Sequence, residues 1–443
     1  MKITLTPTIE QVINKLESAG FEAFVVGGCV RDSLLGKRPH DWDVCTDALP
    51  AQVISCFNGW PVIETGLKHG TVTVIIQGFP VEITTYRTES GYSDARRPDQ
   101  VTFVRKLEED LGRRDFTINA MAYHPRKGLK DLFGGQEDLH RGIIRCVGSA
   151  RRRFEEDALR ILRALRFASV FGFSLEKETA QAVNLCKERL AMIAPERIRT
   201  ELDQMLCGQG VLDILLAYSP VLQVILPEIG EMRGFEQRSP YHVYDIWEHT
   251  ARSTASVQAQ RILRLTMLLH DIGKPSCFTE EGGEGHFYGH DRKSAQMAGE
   301  ILRRLKYDNE TLEKVVQLVG RHGDCFPAQP VPIKRRLNRM GEEQFWRLLE
   351  VKRADILAQA PDKQPLRLAQ LEEIRFVLQK LLAEKECFSR KELRVSGTDL
   401  IDIGIPQGPK IGELLSDLLE KVIEEELPNE KQALLNYVRE LSK

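Results

Sequence analysis

Asp41 and Asp43 flank Trp42 shortly after the glycine pair Gly27-Gly28, in the run FVVGGCVRDSLLGKRPHDWDVCTDA. The pattern predicts an apolar strand through Phe24–Val26 that breaks at the glycines. A short helix follows from Cys29, and a second strand carries Asp41 and Asp43. Residues two apart on a strand project from one face. The two carboxylates then converge beside backbone that can approach a phosphate closely, because Gly28 has no side chain. Paired carboxylates next to a phosphate cradle suit phosphoryl transfer assisted by two Mg²⁺ ions, which neutralise a triphosphate and acidify an attacking hydroxyl. A glycine pair alone is a tight turn, and Asp-x-Asp alone is a solvated strand end. Their order, with Arg31-Asp32 between them, points to a nucleotidyltransferase. The spacing fits no dinucleotide-binding G-x-G-x-x-G, and there is no G-x-x-x-x-G-K-[ST].

Further along, Glu82 in VEITTYR is a candidate third carboxylate on a neighbouring strand. In RRDFTINAMA, Arg114 and Asp115 precede a predicted apolar helix, and Arg114 is suited to gripping a triphosphate. The run FEEDALRILRALRFA predicts a continuous helix over 152–171, with Asp157 and Arg160 on one face and Arg163 and Arg166 extending the stripe. Alone, that is an amphipathic surface helix. Beside a metal site, an aspartate accepts from an exocyclic amine and an arginine donates to a ring nitrogen. Cytosine and adenine match that pair, whereas uracil and guanine would leave polar groups unpaired. Bases could then be chosen without a template.

The chain has 443 residues, a formal net charge of −2 and 42% hydrophobic content, enough for several domains with substantial cores. Its basic residues are unevenly spread: arginines 145, 151, 152, 153, 160, 163 and 166 form a local stripe able to hold a nucleic-acid backbone. No apolar run is long enough to span a membrane, and the N-terminus lacks a signal-peptide core. The nine cysteines contain no C-x-x-C pair, and a cytoplasmic protein is expected. Strands are predicted at 22–26, 42–46, 71–76, 80–86 and 143–147, with 71–76 and 80–86 forming a hairpin. Helical periodicity takes over from about 150. Joints are expected at 227–240 and 361–365.

A second ordered series is His249, His270-Asp271, His290, His322 and Asp355. Scattered histidines are ordinarily core or surface residues, but this series resembles HD-domain phosphohydrolases. The resemblance implies neutral imidazoles and carboxylates holding a divalent transition metal between helices. His286 is a spare candidate. Gly323 stands where two-metal HD proteins often carry a second consecutive histidine, so a single ion is expected.

Taken together, GGCVRDSLLG with HDWDV, RRDFTINAMA, DLFGGQEDLHRGIIR, EEDALRILRALRF and PERIRTEL resemble the class II tRNA nucleotidyltransferases, or CCA-adding enzymes, and their poly(A) polymerase relatives. VSGTDLIDIGIPQGPKIGELL extends the likeness toward the C-terminus. The resemblance implies an α+β protein: a DNA polymerase beta-like head (1–147) of mixed sheet and short helices, then an elongated helical neck (148–235), an HD domain (236–360) and a helical tail for tRNA (361–443). It implies addition of two CMP and one AMP, from CTP and ATP, to tRNA 3′ ends. Asp41 and Asp43 carry over as metal ligands. Gly28, Arg31, Arg114, Arg163 and Arg166 carry over as nucleotide contacts, and Asp157 with Arg160 as the base-reading pair. The segment 88–103 matches a flexible loop needed for the final A. An HD domain in such proteins brings phosphohydrolase or 2′,3′-cyclic phosphodiesterase activity. The alternatives left open are a poly(A) polymerase using ATP only and an HD phosphohydrolase with a vestigial head.

Overall fold

A computed structural model describes residues 3–91 and 100–441. The chain forms two compact units, Met1–Gly230 and Glu231–Lys443. The division falls within the expected 227–240 joint.

The first unit begins with helix Pro7–Ser18, started by the Thr6 side chain and by proline in the first turn. Its centre is a seven-stranded mixed sheet. Strand β1 (Ala23–Val26) is buried throughout and is followed by β2 (Asp43–Thr46), β3 (Val62–Ile63), β4 (Thr71–Ile76) and β5 (Phe79–Thr85). A two-stranded ribbon, β6 (Arg87–Ser90) with β7 (Gln100–Phe103), precedes β8 (Met121–His124) and β9 (Gly128–Asp131). The order across the sheet is β3-β4-β5-β2-β1-β8-β9. Pairing is antiparallel except between β2 and β5, which run parallel. The expected 71–76/80–86 hairpin forms as β4–β5, with alternation burying Val72, Val74, Ile76, Val81 and Ile83. The middle of the expected 88–103 loop, residues 92–99, lies outside the described residues, while its two ends pair as β6 and β7.

Four expectations are corrected. Strand β2 starts at Asp43, so Asp41 lies in the bend before it. The predicted helix after Asp115 is a 3-10 turn, Thr117–Asn119, running into β8. Met121-Ala-Tyr-His124 is entirely buried, so continuous apolarity marked an inner strand there, not a helix face. The strand at 143–147 shrinks to Ile143–Ile144, which pairs in parallel with Ser174–Leu175. Finally, the helix expected over 152–171 is two helices, Ala150–Glu156 and Leu159–Phe171. Asp157 between them has extended backbone, and its side chain accepts from the Leu159 N–H at 3.0 Å. An aspartate that bonds the backbone two residues on competes with helix continuation. Helix Pro195–Leu206 stands as expected.

The second unit is almost entirely helical. Helices Ile246–Ser256, Arg261–Leu269, His290–Arg304, Asn309–Val319 and Glu342–Leu357 carry or adjoin the histidine series. One hydrophobic cluster joins Leu318, Phe345 and Leu349 to Leu371, Leu378 and Leu381 of helix Gln364–Ala383, so the core continues past the expected 361–365 joint. A separate cluster starts at Cys387 and ends at Val438. Among the described residues, no helix is long and apolar enough to cross a membrane.

Candidate active site and candidate metal centre

In the first unit, parallel pairing of β2 with β5 sets Glu82 in register with Asp43. Burial foremost, then Glu82 and Asp41, push the Asp43 carboxyl above its ordinary pKa, while Arg114 opposes them. Carboxylates crowded so that one resists ionisation are the electrostatic mark of a cation site. Gly27 adopts φ +83°, and a Cβ there would lie 3.0 Å from Arg114 Nη1. Gly27 is therefore required both by its backbone and by its neighbour. At Gly28 a Cβ would meet only Arg31 Nη2, at 3.6 Å, so the absent side chain leaves open space.

Arg114 is held by the fully buried Asp110, Nη2 to Oδ2 at 3.3 Å, and Arg113 takes the other Asp110 oxygen at 2.8 Å. Burial works against the Arg114 charge, but Asp110 and its other anionic neighbours lift its pKa further. Arg31 donates from Nη1 to Asn119 Oδ1 at 2.6 Å and from Nε to Asp32 at 2.9 Å. Its guanidinium lies 4.9 Å from the Phe171 ring centre and 5.2 Å from that of Phe167. Asn119 in turn donates to Asp115 Oδ1 at 3.1 Å, and Asp115 Oδ2 accepts from Arg163 Nη2 at 2.6 Å. Despite burial, Arg163 and Asn119 hold the Asp115 carboxyl far below the usual range. A continuous chain thus runs from the turn after Gly28 to helix Leu159–Phe171.

Asp157 and Arg160 share a backbone bond, Arg160 N–H to the Asp157 carbonyl at 3.0 Å, but their side chains take other partners. Asp157 Oδ2 takes Arg197 Nη2 at 3.1 Å, while Arg160 Nη1 donates to Glu156 at 2.8 Å. Arg163 and Arg166 both reach Glu201, at 3.8 and 2.7 Å. Burial lowers the Arg166 pKa to about 10. Sequence reasoning missed these holders: Asp110, Asn119, Glu156, Arg197 and Glu201. Their one local signal was PERIRTEL, where Arg197 and Glu201, four apart, share a helix face.

The second unit gathers all six members of the histidine series. Each imidazole is oriented by a backbone carbonyl at Nδ1: His249 by Ala358 at 3.1 Å, and His270, His290 and His322 by Met267, Phe287 and Val319, each at 2.7 Å. With Nδ1 donating to a carbonyl, Nε2 is the nitrogen turned toward the carboxylates, and it is the atom a metal would take once it carries no proton. The Nε2 atoms of His249 and His270 lie 3.4 Å apart, and those of His290 and His322 lie 3.2 Å apart. Acceptors set face to face at that distance fit a cation between them. Two ligand sets result, each with its atoms within 4.8 Å of one another: His249, His270, Asp271 and Asp355, and then Asp271, His290 and His322. Among the described residues these are the only sets of three or more so tightly drawn. Asp271 belongs to both sets, and Lys274 Nζ lies 2.7 Å from its Oδ2. His286 stands outside them and stacks on Tyr288. A cleft of about 1140 Å³ opens onto Asp271, His290, His322 and Asp355.

The strand-borne carboxylates, the glycine turn and the arginine-lined helix define a polymerase-type nucleotidyltransferase head. Residues 23–145 match the model of the poly A polymerase head domain, 172–232 an RNA- and SrmB-binding site of polymerase A, and 292–438 domain 2 of tRNA nucleotidyltransferases. The CCA-adding enzyme of Lactiplantibacillus plantarum is 35% identical over 97% of this chain and 94% of its own length. That of Limosilactobacillus reuteri is 34% identical over the whole of both. The Bacillus stearothermophilus CCA-adding enzyme in complex with CTP is 31% identical, with a TM-score of 0.71 over 99% of this chain and 98% of that one. A Thermotoga maritima CCA-adding enzyme complexed with tRNA shares the fold at 22% identity and a TM-score of 0.58. The chain belongs to the CCA-adding enzymes, a family of tRNA nucleotidyltransferases.

Proposed function

We propose that this protein adds C, C and A in turn to tRNA 3′ ends, using CTP and ATP. The observation that carries the reading is Asp43, crowded by Glu82 and Asp41 and opposed by Arg114, in a chain matched along its length by CCA-adding enzymes. The hard oxygen donors fit Mg²⁺, with Asp41 and Asp43 as ligands and Glu82 as a third carboxylate. Bound there, Mg²⁺ would neutralise the triphosphate and lower the pKa of the tRNA 3′-hydroxyl. Arg114 and Arg31 grip the phosphates beside the space at Gly28, and Arg163 and Arg166 complete the cationic wall. The 3′-hydroxyl attacks the α-phosphate in line and pyrophosphate leaves, with no covalent enzyme intermediate. The protein's part is positioning and charge.

Asp157 and Arg160 read the base. The carboxylate accepts the exocyclic amine of C or A, and the guanidinium donates to the ring nitrogen. Incubating the protein with tRNA that ends at its discriminator base, and with each nucleotide singly, tests the reading. CMP incorporation is expected, and AMP incorporation alone would make the protein a poly(A) polymerase. Asp157→Ala should relax exclusion of UTP; unchanged exclusion would remove Asp157 from the reading.

The finer division into head (1–147), neck (148–235), HD domain (236–360) and tRNA-binding tail (361–443) belongs to the same proposal; the spans 23–145 and 172–232 of two family models support the head and the neck, whereas the third, 292–438, runs across the boundary between HD domain and tail. A cytoplasmic location accords with nine free cysteines. The imidazole-rich sets in the HD segment suit a transition metal. We read them as holding two ions that share Asp271, in place of the single ion expected from Gly323. Such a centre would supply hydrolysis of phosphate esters at RNA ends, 2′,3′-cyclic phosphates among them. Metal analysis of the purified full-length protein, with turnover of a 2′,3′-cyclic nucleotide, tests this second activity.

A further inference from the structure

We propose that Tyr288, backed by His286, is a nucleobase platform in the metal-site cleft of the second unit, so that the cleft selects nucleoside phosphates over phosphate esters without a base. This role rests on the reading of the cleft as a phosphohydrolase site and adds what recognises the substrate there.

The platform is held on both sides along the chain. His286 ends a two-stranded ribbon, Thr279–Glu281 with Glu284–His286. Gly285 donates its N–H to the Arg238 carbonyl at 2.8 Å, and a Cβ there would collide with the Gln237 carbonyl, so the ribbon lies tight against that segment. Phe287, which follows His286, turns inward: its ring sits 5.5 Å from that of Phe278 and 6.4 Å from that of Phe235. Gly289, with φ +73°, then leads into helix His290–Arg304. Tyr288, between these fixed points, is 68% exposed on the cleft wall. A single exposed tyrosine is ordinary. This one lies parallel to the His286 ring, at 4° with centroids 5.4 Å apart, and both line the same cleft as Asp271, His290 and His322. The imidazole backs one face of the phenol ring, and the exposure leaves the rest to the cleft.

Size and reach both match a nucleoside. The cleft of about 1140 Å³ has room for base, ribose and phosphate together, well beyond a phosphate group alone. Tyr288 precedes the candidate ligand His290 by two residues, so their Cα atoms lie at most about 7 Å apart. One ribose separates a base from its phosphate on the same scale. A phosphate held at the histidines therefore leaves its base beside the ring. Every base offers a π face, so a tyrosine ring recognises bases as a class without reading their identity. Tyr241 also lines the cleft, but the Arg367 guanidinium already lies 5.9 Å from its ring centre. His286, which supplies no atom to either ligand set, has its place as the back of the stack.

The test uses the full-length protein and two probes: adenosine 2′,3′-cyclic phosphate, and methyl riboside 2′,3′-cyclic phosphate, which carries a methoxy group in place of the base. The kcat/KM of each is measured in wild type, Tyr288→Ala, Tyr288→Phe and His286→Ala. Equilibrium dialysis with adenosine 3′-monophosphate and methyl riboside 3′-phosphate gives a second readout that needs no turnover. The expected result is that Y288A lowers the ratio of nucleotide to base-free probe by about 5- to 100-fold in both readouts, the range for loss of one stacking ring. Y288F should keep the ratio near the wild-type value, and H286A should lower it by less than Y288A. A wild-type ratio in Y288A, or parallel losses on both probes, overturns the platform. So does a Y288F as impaired as Y288A, since the hydroxyl and not the ring face would then be responsible. If wild type turns over neither probe, the phosphohydrolase reading fails by itself and the dialysis ratio decides: lowered in Y288A it sustains the platform, and unchanged it overturns it. The same comparison on tRNA ending in a 2′,3′-cyclic phosphate distinguishes the sources of the nucleoside. A Y288A loss there puts an RNA end on the ring, whereas a loss confined to the mononucleotide puts a free nucleotide there.

Discussion

The two candidate metal sites of this chain are built on opposite plans. In the first unit the candidate ligands are carboxylates alone, one on a strand, one in the bend before it and one on the parallel neighbour. Asp41 and Glu82 are exposed, and the three oxygens do not close into a tight set. In the second unit four imidazoles and two carboxylates, four of these six residues buried, already stand close around shared points. Each ring is fixed by a carbonyl at its far nitrogen. An open all-oxygen site suits an ion that arrives with each triphosphate and keeps part of its water. A closed imidazole site suits an ion that stays. The contrast teaches that the first site is completed by its substrate, whereas the second is completed by the fold.

The sharpest way to break this comparison is a double dissociation. Asp43→Ala should lower nucleotide incorporation by at least about 1,000-fold, while the metal content of the protein stays at the wild-type value. Asp271→Ala should do the reverse, stripping the second unit of metal and sparing incorporation. Metal loss in D43A, or lost incorporation in a folded D271A, would show the two sites to be one system. A milder test uses exchange. After gel filtration without chelator, incorporation should require added Mg²⁺ at once, whereas transition metal should remain bound in stoichiometric amount. Next, His290→Ala should halve that amount and His249→Ala should act on the other half, since the two sets share only Asp271. Complete loss in both variants would mean a single ion.

What could be read from the sequence divides along the same line. The histidine series was legible because its members lie on helices or in the turns directly after them, and all six are brought together. The meeting of His290 with His322 was not legible. Gly323 makes a single ion the expectation, and His290, at the start of one helix, comes together with His322, in the turn after another, a fact of packing that spacing does not carry. In the head, residue types were legible and conformations less so. Asp41 and Asp43 were taken to share a strand, yet β2 starts only at Asp43. The apolar residues after Asp115 read as a helix, but an unbroken apolar run also marks a strand buried on both faces, which is what β8 is. Asp157 was placed within a helix because the flanking periodicity is strong, and its own backbone bond overrode that pattern. PERIRTEL sets Arg197 and Glu201 on one helix face but does not name their partners, which lie about 40 residues away in sequence.

The smallest expected effect probes how the closed site is kept closed. Lys352 is half-buried on helix Glu342–Leu357, one turn before Asp355, and desolvation lowers its pKa. Its Nζ donates to the carbonyls of His322 and Asp324, at 2.7 and 2.5 Å. The lysine therefore ties the segment carrying His322 to the helix carrying Asp355, so a ligand of one set is braced against a ligand of the other. Methionine keeps most of the volume and removes both donors. Lys352→Met should weaken the ion at His290 and His322 by about 10-fold, the lower range for loss of a residue that orients a ligand. The ion at His249 and His270 should be held as in wild type, because their rings take their direction from Ala358 and Met267. Competition with a graded chelator reads the two affinities separately. Equal weakening of both would mean that Lys352 supports the unit as a whole, and the brace would have no selective role.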